Sequence, residues 1–186
     1  MSRLRDILSA SYQPNRDAEK TLAKDGYTLD RELSDRNAKV FVNNEGEPNI
    51  VYRGTVPSNK KDLFSDVLLG LGLSHLDPRQ RRSNNLVKAV KDKYKHDPNL
   101  YGHSLGGALA EKAGKATGNK GSITTYNKGA SPSDIFQRNP SNQTDVRTST
   151  DLVSALSQFQ QGGNKHEIKS DKDPLTAHNL DQLEYY

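Results

Sequence analysis

Residues 101–110 read YGHSLGGALA. A serine stands between two glycines, each two positions away, and a run of small residues follows. Two readings compete. In the first, Ser104 caps a helix that begins after a glycine turn. In the second, it sits at the apex of a sharp strand-to-helix turn as a nucleophile. The second makes a steric demand. The backbone at the apex is strained, and the residues two before and two after it come close together. Only small side chains fit there, which accounts for Gly102 and Gly106. The helix beyond must lie close to a sheet, which Gly107, Ala108 and Ala110 permit. Its N-terminus would aim amide N–H groups and a positive dipole end at the reacting centre. The Leu105 amide would be one donor to a developing oxyanion. His103 adjoins the serine, with its side chain expected to point away from it.

The surrounding pattern supplies a strand before this turn and a helix after it. Residues 84–95, NNLVKAVKDKYK, place Leu86, Val87, Val90 and Tyr94 on one stripe of an amphipathic helix. Pro98 ends that helix. Residues 99–101, NLY, read as a very short strand, and LGGALAEKAGKATG as a helix closed by glycine. Upstream, residues 38–54 read as a β-hairpin turning at NNEGEPN. One or two short helices, broken near Pro14, precede it. Residues 62–76, DLFSDVLLGLGLSHL, are the most apolar block, with Leu63, Phe64, Val67, Leu68 and Leu71 at helical spacing. Downstream, 122–129 and 145–150 read as strands, DLVSALSQFQQGG as the start of a short helix, and the polar tail 164–186 as one helix or turn against the core. Strands alternating with amphipathic helices predict a single α/β domain over residues 1–186. Its mostly parallel central sheet would carry helices on both faces and an N-terminal β-hairpin.

Composition limits the chemistry. The 186 residues hold no cysteine, so neither a disulfide framework nor a cysteine-based zinc site is available. No cofactor and no metal are expected. No apolar run approaches the ~18 residues of a membrane span, and MSRLRDILSASYQ lacks the apolar core of a secretory signal. Net charge is +4, with basic residues gathered at 59–62 and 77–97. A solvated helix face explains them better than a phosphate-rich partner. No nucleic-acid signature accompanies them, and no nucleic-acid partner is expected.

A nucleophilic serine needs a base and an orienting acid. In folds built on this turn they follow in the order serine, acid, histidine. Of the five histidines, His75, His96, His103, His166 and His178, only the last two lie downstream of Ser104. His178 falls in LTAHNL, a loop beside apolar anchors, whereas His166 lies in the polar GGNKHEIK. Candidate acids are Asp134, Asp145, Asp151, Asp171 and Asp173, with Glu111 and Glu167 less suited. Asp151 directly follows the strand VRTST, so it would share the serine's edge of the sheet. Asp145 would stand at the other end of that strand. His178 would take the Ser104 proton, and Asp151 would hold the imidazole tautomer. Taken singly, His178 reads as a surface histidine and Asp151 as a helix cap before LVSAL.

Five blocks carry a resemblance to the class 3 (fungal-type) lipases of the α/β-hydrolase superfamily. VYRGT (51–55) resembles the family's strand ending in aromatic-Arg-Gly-Thr/Ser. DLFSD (62–66) resembles its Asp-aromatic-x-x-Asp segment, with Leu63 where the aromatic usually stands. YGHSLGGALA resembles its elbow, including His103. TDLVSAL and AHNL resemble its acid and terminal histidine blocks. The resemblance runs in order over residues 25–186. It implies that Thr55 supplies a second oxyanion-hole amide beside that of Leu105. It also implies a serine esterase or lipase acting on an acyl ester, lipid or phospholipid, with transient contact to a membrane surface. The apolar 63–76 block would be an acyl-binding wall or an interfacial patch, LLGLGLSHLDPRQRR (68–82) a reduced lid or simply core, and the basic residues at 79–95 would favour anionic headgroups. The chain is shorter than secreted lipases of this type, which points to a compact, intracellular or virus-encoded version. A contrasting reading is a catalytically weak or inactive hydrolase fold used as a binding or structural module, such as a virion component. A third is a nucleic-acid-associated protein using its basic helix.

Overall fold

The computed structural model describes residues 4–55 and 78–185. The helix expected over 62–76, its reading as an acyl wall or interfacial patch, most of the 68–82 lid stretch, and the basic NKKD at 59–62 lie outside the described residues. The architecture is α/β, a mostly parallel sheet with helices on both faces. Seven strands form one sheet in chain order: β1 (Thr28–Leu29), β2 (Ala38–Val42), β3 (Pro48–Tyr52), β4 (Asn99–His103), β5 (Ile123–Tyr126), β6 (Gln143–Thr148) and β7 (Asn164–Ile168). The first three pair antiparallel, and β3 through β7 pair parallel.

Helix α3 (Pro78–Tyr94) connects β3 to β4, and α4 (Leu105–Thr117) connects β4 to β5. The two helices pack on each other and so share one face of the sheet. Two parallel crossovers of the same hand, moving in the same direction, place their helices this way. The other face is covered by α1 (Leu4–Ala10), α2 (Asn15–Ala23) and the C-terminal 3₁₀ turn Leu180–Tyr185.

Strand alternation divides the core between these layers. Val40, Ile50, Tyr52, Leu100 and Ile123 meet Val87, Val90, Leu109, Ala110 and Ala113 of α3 and α4. Phe41, Val51, Tyr126 and Val146 meet Ile7, Leu8, Ala18, Leu22 and Leu183. Each large side chain fully buried this way contributes roughly 1.5–3 kcal/mol. The central strands are apolar toward both faces because both faces are covered.

The basic stretch of α3 behaves as a solvated face with local ion pairs. Lys88, Lys93 and Lys95 are exposed. Lys93 pairs with Asp30 and Glu32 at 2.8 and 2.9 Å, and Lys91 with Asp97 at 2.7 Å. Among the described residues no helix is long and apolar enough to cross a membrane.

Three expectations need correction. The strand before the elbow is not clipped at Tyr101: it runs Asn99–His103, and His103 still pairs in register with Tyr126. The strand expected at 145–150 is Gln143–Thr148, so Asp145 is its third residue rather than its end. The tail contains a strand, β7, that its composition hides. Asn164, Lys165, His166 and Glu167 are all exposed, as suits a sheet edge open to water.

Candidate active site

The C-terminal ends of β4, β5 and β6 converge on the Ser104 turn. Ser104 has φ 58° and ψ −127°, a region that a non-glycine residue enters only when its surroundings impose it. Three contacts impose it. Its N–H donates to Tyr126 O at 3.0 Å, and its carbonyl accepts from Gly107 N–H at 3.0 Å and Gly129 N–H at 3.3 Å. The flanking glycines leave no room for a side chain. A Cβ on Gly102 would overlap the Gly106 carbonyl, and one on Gly106 would overlap the Tyr52 carbonyl of β3. The first turn of α4 therefore lies directly against the strand that leads to Thr55.

The hydroxyl of Ser104 makes no cap hydrogen bond to α4, so the helix-cap reading of this serine does not describe its geometry. Its Oγ is buried without a hydrogen-bond partner, and so is His178 Nε2. Both residues are almost wholly buried. His103, the residue before Ser104, packs its ring 4.7 Å, centroid to centroid, from that of His178.

His178 and Asp151 form a buried pair, with His178 Nδ1 2.9 Å from Asp151 Oδ1. A carboxylate only accepts, so Nδ1 carries the hydrogen, and in the neutral ring Nε2 is left with the lone pair. Burial alone would raise the Asp151 pKa. The hydrogen bond and charge of His178, with the bond to Ser154, outweigh it and hold the carboxyl below its ordinary value. Asp151 also accepts from Val153 N–H at 3.2 Å and Ser154 N–H at 2.9 Å. It therefore caps the turn before the 3₁₀ segment Ala155–Phe159 and holds the histidine at the same time.

On the other side of the serine, the loop after β3 brings Gly54 close. A Cβ placed on Gly54 would lie 3.3 Å from Ser104 Cβ. Thr55, half-exposed, is the next residue of that loop. Leu105 N–H is the first of the α4 N-terminal donors, which have no partner inside a helix.

The remaining acids have other tasks. Asp134 accepts from Ser131 N–H and Oγ. Asp173 caps the short helix α5 (Pro174–Ala177). Asp171 is exposed. Asp145 and Glu111 belong to a buried network beneath α4. Lys128 Nζ bridges them, and Gln143 and Asn139 add hydrogen bonds. Burial opposes the ionised form of Glu111, yet the charges of Lys128 and Lys115 pull its pKa down to about 2. His166 sits on the exposed edge strand, and His96 on the turn after α3, before the N-terminal end of β4. Among the described residues no cluster of three His, Asp or Glu side chains could hold a metal ion.

Sequence reasoning missed the residues that hold the His178 loop. Asn127, with φ 42° and no exposure, donates from Nδ2 to Ala177 O at 2.9 Å and accepts Thr148 N–H at 2.7 Å. Tyr126 Oη lies 3.2 Å from Asn179 O. His103 Nε2 lies 2.8 Å from His178 O, and its Nδ1 lies 2.8 Å from Tyr12 Oη. Burial, and then the charge of His178, push the His103 pKa down to about 3. The ring is neutral at ordinary pH, and both nitrogens are engaged, so His103 has no free lone pair to act as a base. The elbow motif marks His103 but not its partners, and no local pattern marks Asn127, Tyr126 or Tyr12, because what they bond lies far away in the chain.

No family model matches the chain, and no curated protein is similar to it in sequence. Among solved structures, a protein described as a predicted CIB-like hydrolase from Thermoplasma acidophilum is similar in fold. It is 10% identical, with a TM-score of 0.44, and the match covers 85% of this chain and 95% of that one. That degree of likeness bears on neither activity nor substrate.

Proposed function

We propose that the protein is a serine ester hydrolase, a compact relative of the class 3 lipases, with Ser104 as nucleophile, His178 as base and Asp151 as its orienting acid. One observation carries this reading. Two buried reactive atoms have no partner, Ser104 Oγ on the elbow and His178 Nε2, and the second belongs to a ring already oriented by a carboxylate and packed against His103, the residue beside the serine. A buried polar atom without a partner costs free energy, so a group that completes it on binding is the natural explanation.

The steps follow from the atoms. Ser104 Oγ adds to the ester carbonyl while His178 Nε2 takes its proton. The Leu105 and Thr55 amides donate to the oxyanion. Collapse of the adduct breaks the bond to the leaving alkoxy oxygen, which receives the proton from His178. Water then adds to the acyl-enzyme with His178 again as base, and the acid leaves as Ser104 Oγ regains its hydrogen. Asp151 stays ionised and stabilises the imidazolium formed in each half.

An apolar acyl group, as in a lipid or phospholipid, is supported by Leu152 and Leu175, which are 56% and 37% exposed. Leu152 follows Asp151 directly, and Leu175 stands three residues before His178, so apolar surface adjoins both partners of the base pair. The near-complete burial of Ser104 favours a second reading, a hydrolase fold kept as a binding or structural module. Hydrolysis of p-nitrophenyl esters of graded chain length separates the two. The enzyme reading predicts turnover that Ser104→Ala and His178→Ala abolish and that rises with acyl length. Absence of turnover at every length rejects it, and equal rates in His178→Ala and wild type reject His178 as the base.

A further inference from the structure

Three consecutive carbonyls of the His178 loop, those of residues 177, 178 and 179, are each held by a side chain from the ends of β4 and β5. The middle one is different, because its holder, His103, is itself held from outside the sheet. Tyr12, in the turn between α1 and α2, lies 2.8 Å from His103 Nδ1 and also accepts the Gly54 N–H at 3.2 Å. Its ring meets that of His103 edge-on, and the Arg53 guanidinium lies over its other side.

The hydrogens of this chain have a single arrangement. A carbonyl only accepts, so His103 Nε2 carries a hydrogen and donates to His178 O. The buried ring is neutral, so Nδ1 is an acceptor and the Tyr12 hydroxyl donates to it. Burial keeps that hydroxyl protonated, with its pKa pushed up to about 12. The Tyr12 oxygen then takes the Gly54 N–H. The series Gly54 N–H, Tyr12 O–H, His103 and His178 C=O joins the loop of one oxyanion donor to the loop of the base. It passes through the residue beside the nucleophile.

We propose that Tyr12 is a positioning residue, which through His103 fixes the Gly54–Thr55 loop and the His178 loop relative to each other and so aligns both on Ser104. The proposal deepens the serine hydrolase reading and rests on it. Loss of the hydroxyl, in Tyr12→Phe, leaves Gly54 N–H and His103 Nδ1 without partners. His178 O still holds the His103 hydrogen on Nε2, but the ring is no longer held at Nδ1, so the two loops lose their tie. A displacement well under the length of a bond at the base lowers the rate of chemistry more than binding.

The test pairs ¹⁵N NMR of the histidine side chains with ester kinetics, in wild type and Tyr12→Phe. The expected wild-type spectrum shows His103 as the neutral Nε2–H tautomer from pH 5 to 8. Tyr12→Phe should keep that tautomer and show the Nδ1 resonance shifted by loss of its hydrogen bond. Its kcat should fall roughly ten- to hundred-fold with KM within about two-fold. An unchanged Nδ1 shift in the variant overturns the tie, and a changed shift with unchanged kcat overturns its positioning role. If wild type hydrolyses no ester, the hydrolase reading fails, while the Nδ1 shift still decides whether the tie exists. If Tyr12→Phe does not fold, the wild-type spectrum decides. An Nδ1–H tautomer, or titration of His103 near its ordinary pKa, rules the arrangement out.

Discussion

Acidification should destabilise this protein through one buried ring that takes no part in proton transfer. His103 is held neutral by burial, and then by the nearby charge of His178, with its pKa near 3 against an ordinary 6.5. Below pH 6.5 the unfolded chain binds a proton at this position and the folded chain does not. The unfolded state therefore binds more protons, so stability is present above pH 6.5 and is lost progressively as pH falls towards 3. The slope from one such group is about 1.4 kcal/mol per pH unit. Allowing for partial protonation near 6.5, the loss between pH 7 and pH 5 is about 2 kcal/mol. Urea unfolding of wild type and His103→Gln at pH 7, 6 and 5 isolates it. The substitution removes hydrogen bonds and lowers stability at every pH, so the quantity to compare is the dependence on pH. Wild type should lose about 2 kcal/mol more than the variant between pH 7 and pH 5. Parallel pH dependences for the two proteins would refute the reasoning, because His103 would then titrate alike in the folded and unfolded chains.

Three further outcomes follow from the same contacts. Asp151→Asn should lower kcat for esters by on the order of 10³–10⁴-fold, since an amide no longer selects the Nδ1–H tautomer of His178, and steady-state kinetics will show it. Gly106→Ala puts a methyl group into the Tyr52 carbonyl and should shift the urea midpoint by about 1–3 kcal/mol of stability; a wild-type midpoint would contradict the close approach of α4 to β3. Lys128→Met leaves Asp145 buried without its cation and Glu111 with Lys115 alone, and should cost about 3–5 kcal/mol, with part recovered when both acids are also made amides.

The elbow was legible because its constraint is local. A Cβ on Gly102 would strike the Gly106 carbonyl four positions on, so spacing alone encodes that contact. The hairpin and both helix layers were legible because β2 and β3 alternate across two covered faces and α3 carries a helical stripe. Strand β7 was not, because an edge strand solvated on both sides shows no apolar alternation. Two-residue β1 is too short for any period. The supports of the candidate site were hidden for a different reason. Tyr12 meets His103 across 91 positions, and His103 meets His178 across 75, and nothing in a window of sequence records such pairs. Asp151 illustrates the ambiguity in a single side chain. Its position after a strand fits both a helix cap and an orienting acid, and its two oxygens serve both at once.

The central claim is that Ser104 is a nucleophile activated by His178. Reaction with an alkyl fluorophosphonate, read by intact mass and by the mass of the peptide carrying residues 101–110, tests it without a guess about substrate. The account predicts one adduct per chain, located on Ser104, absent in Ser104→Ala and formed far more slowly in His178→Ala. No adduct on wild type, or one that forms at the same rate in His178→Ala, would contradict it.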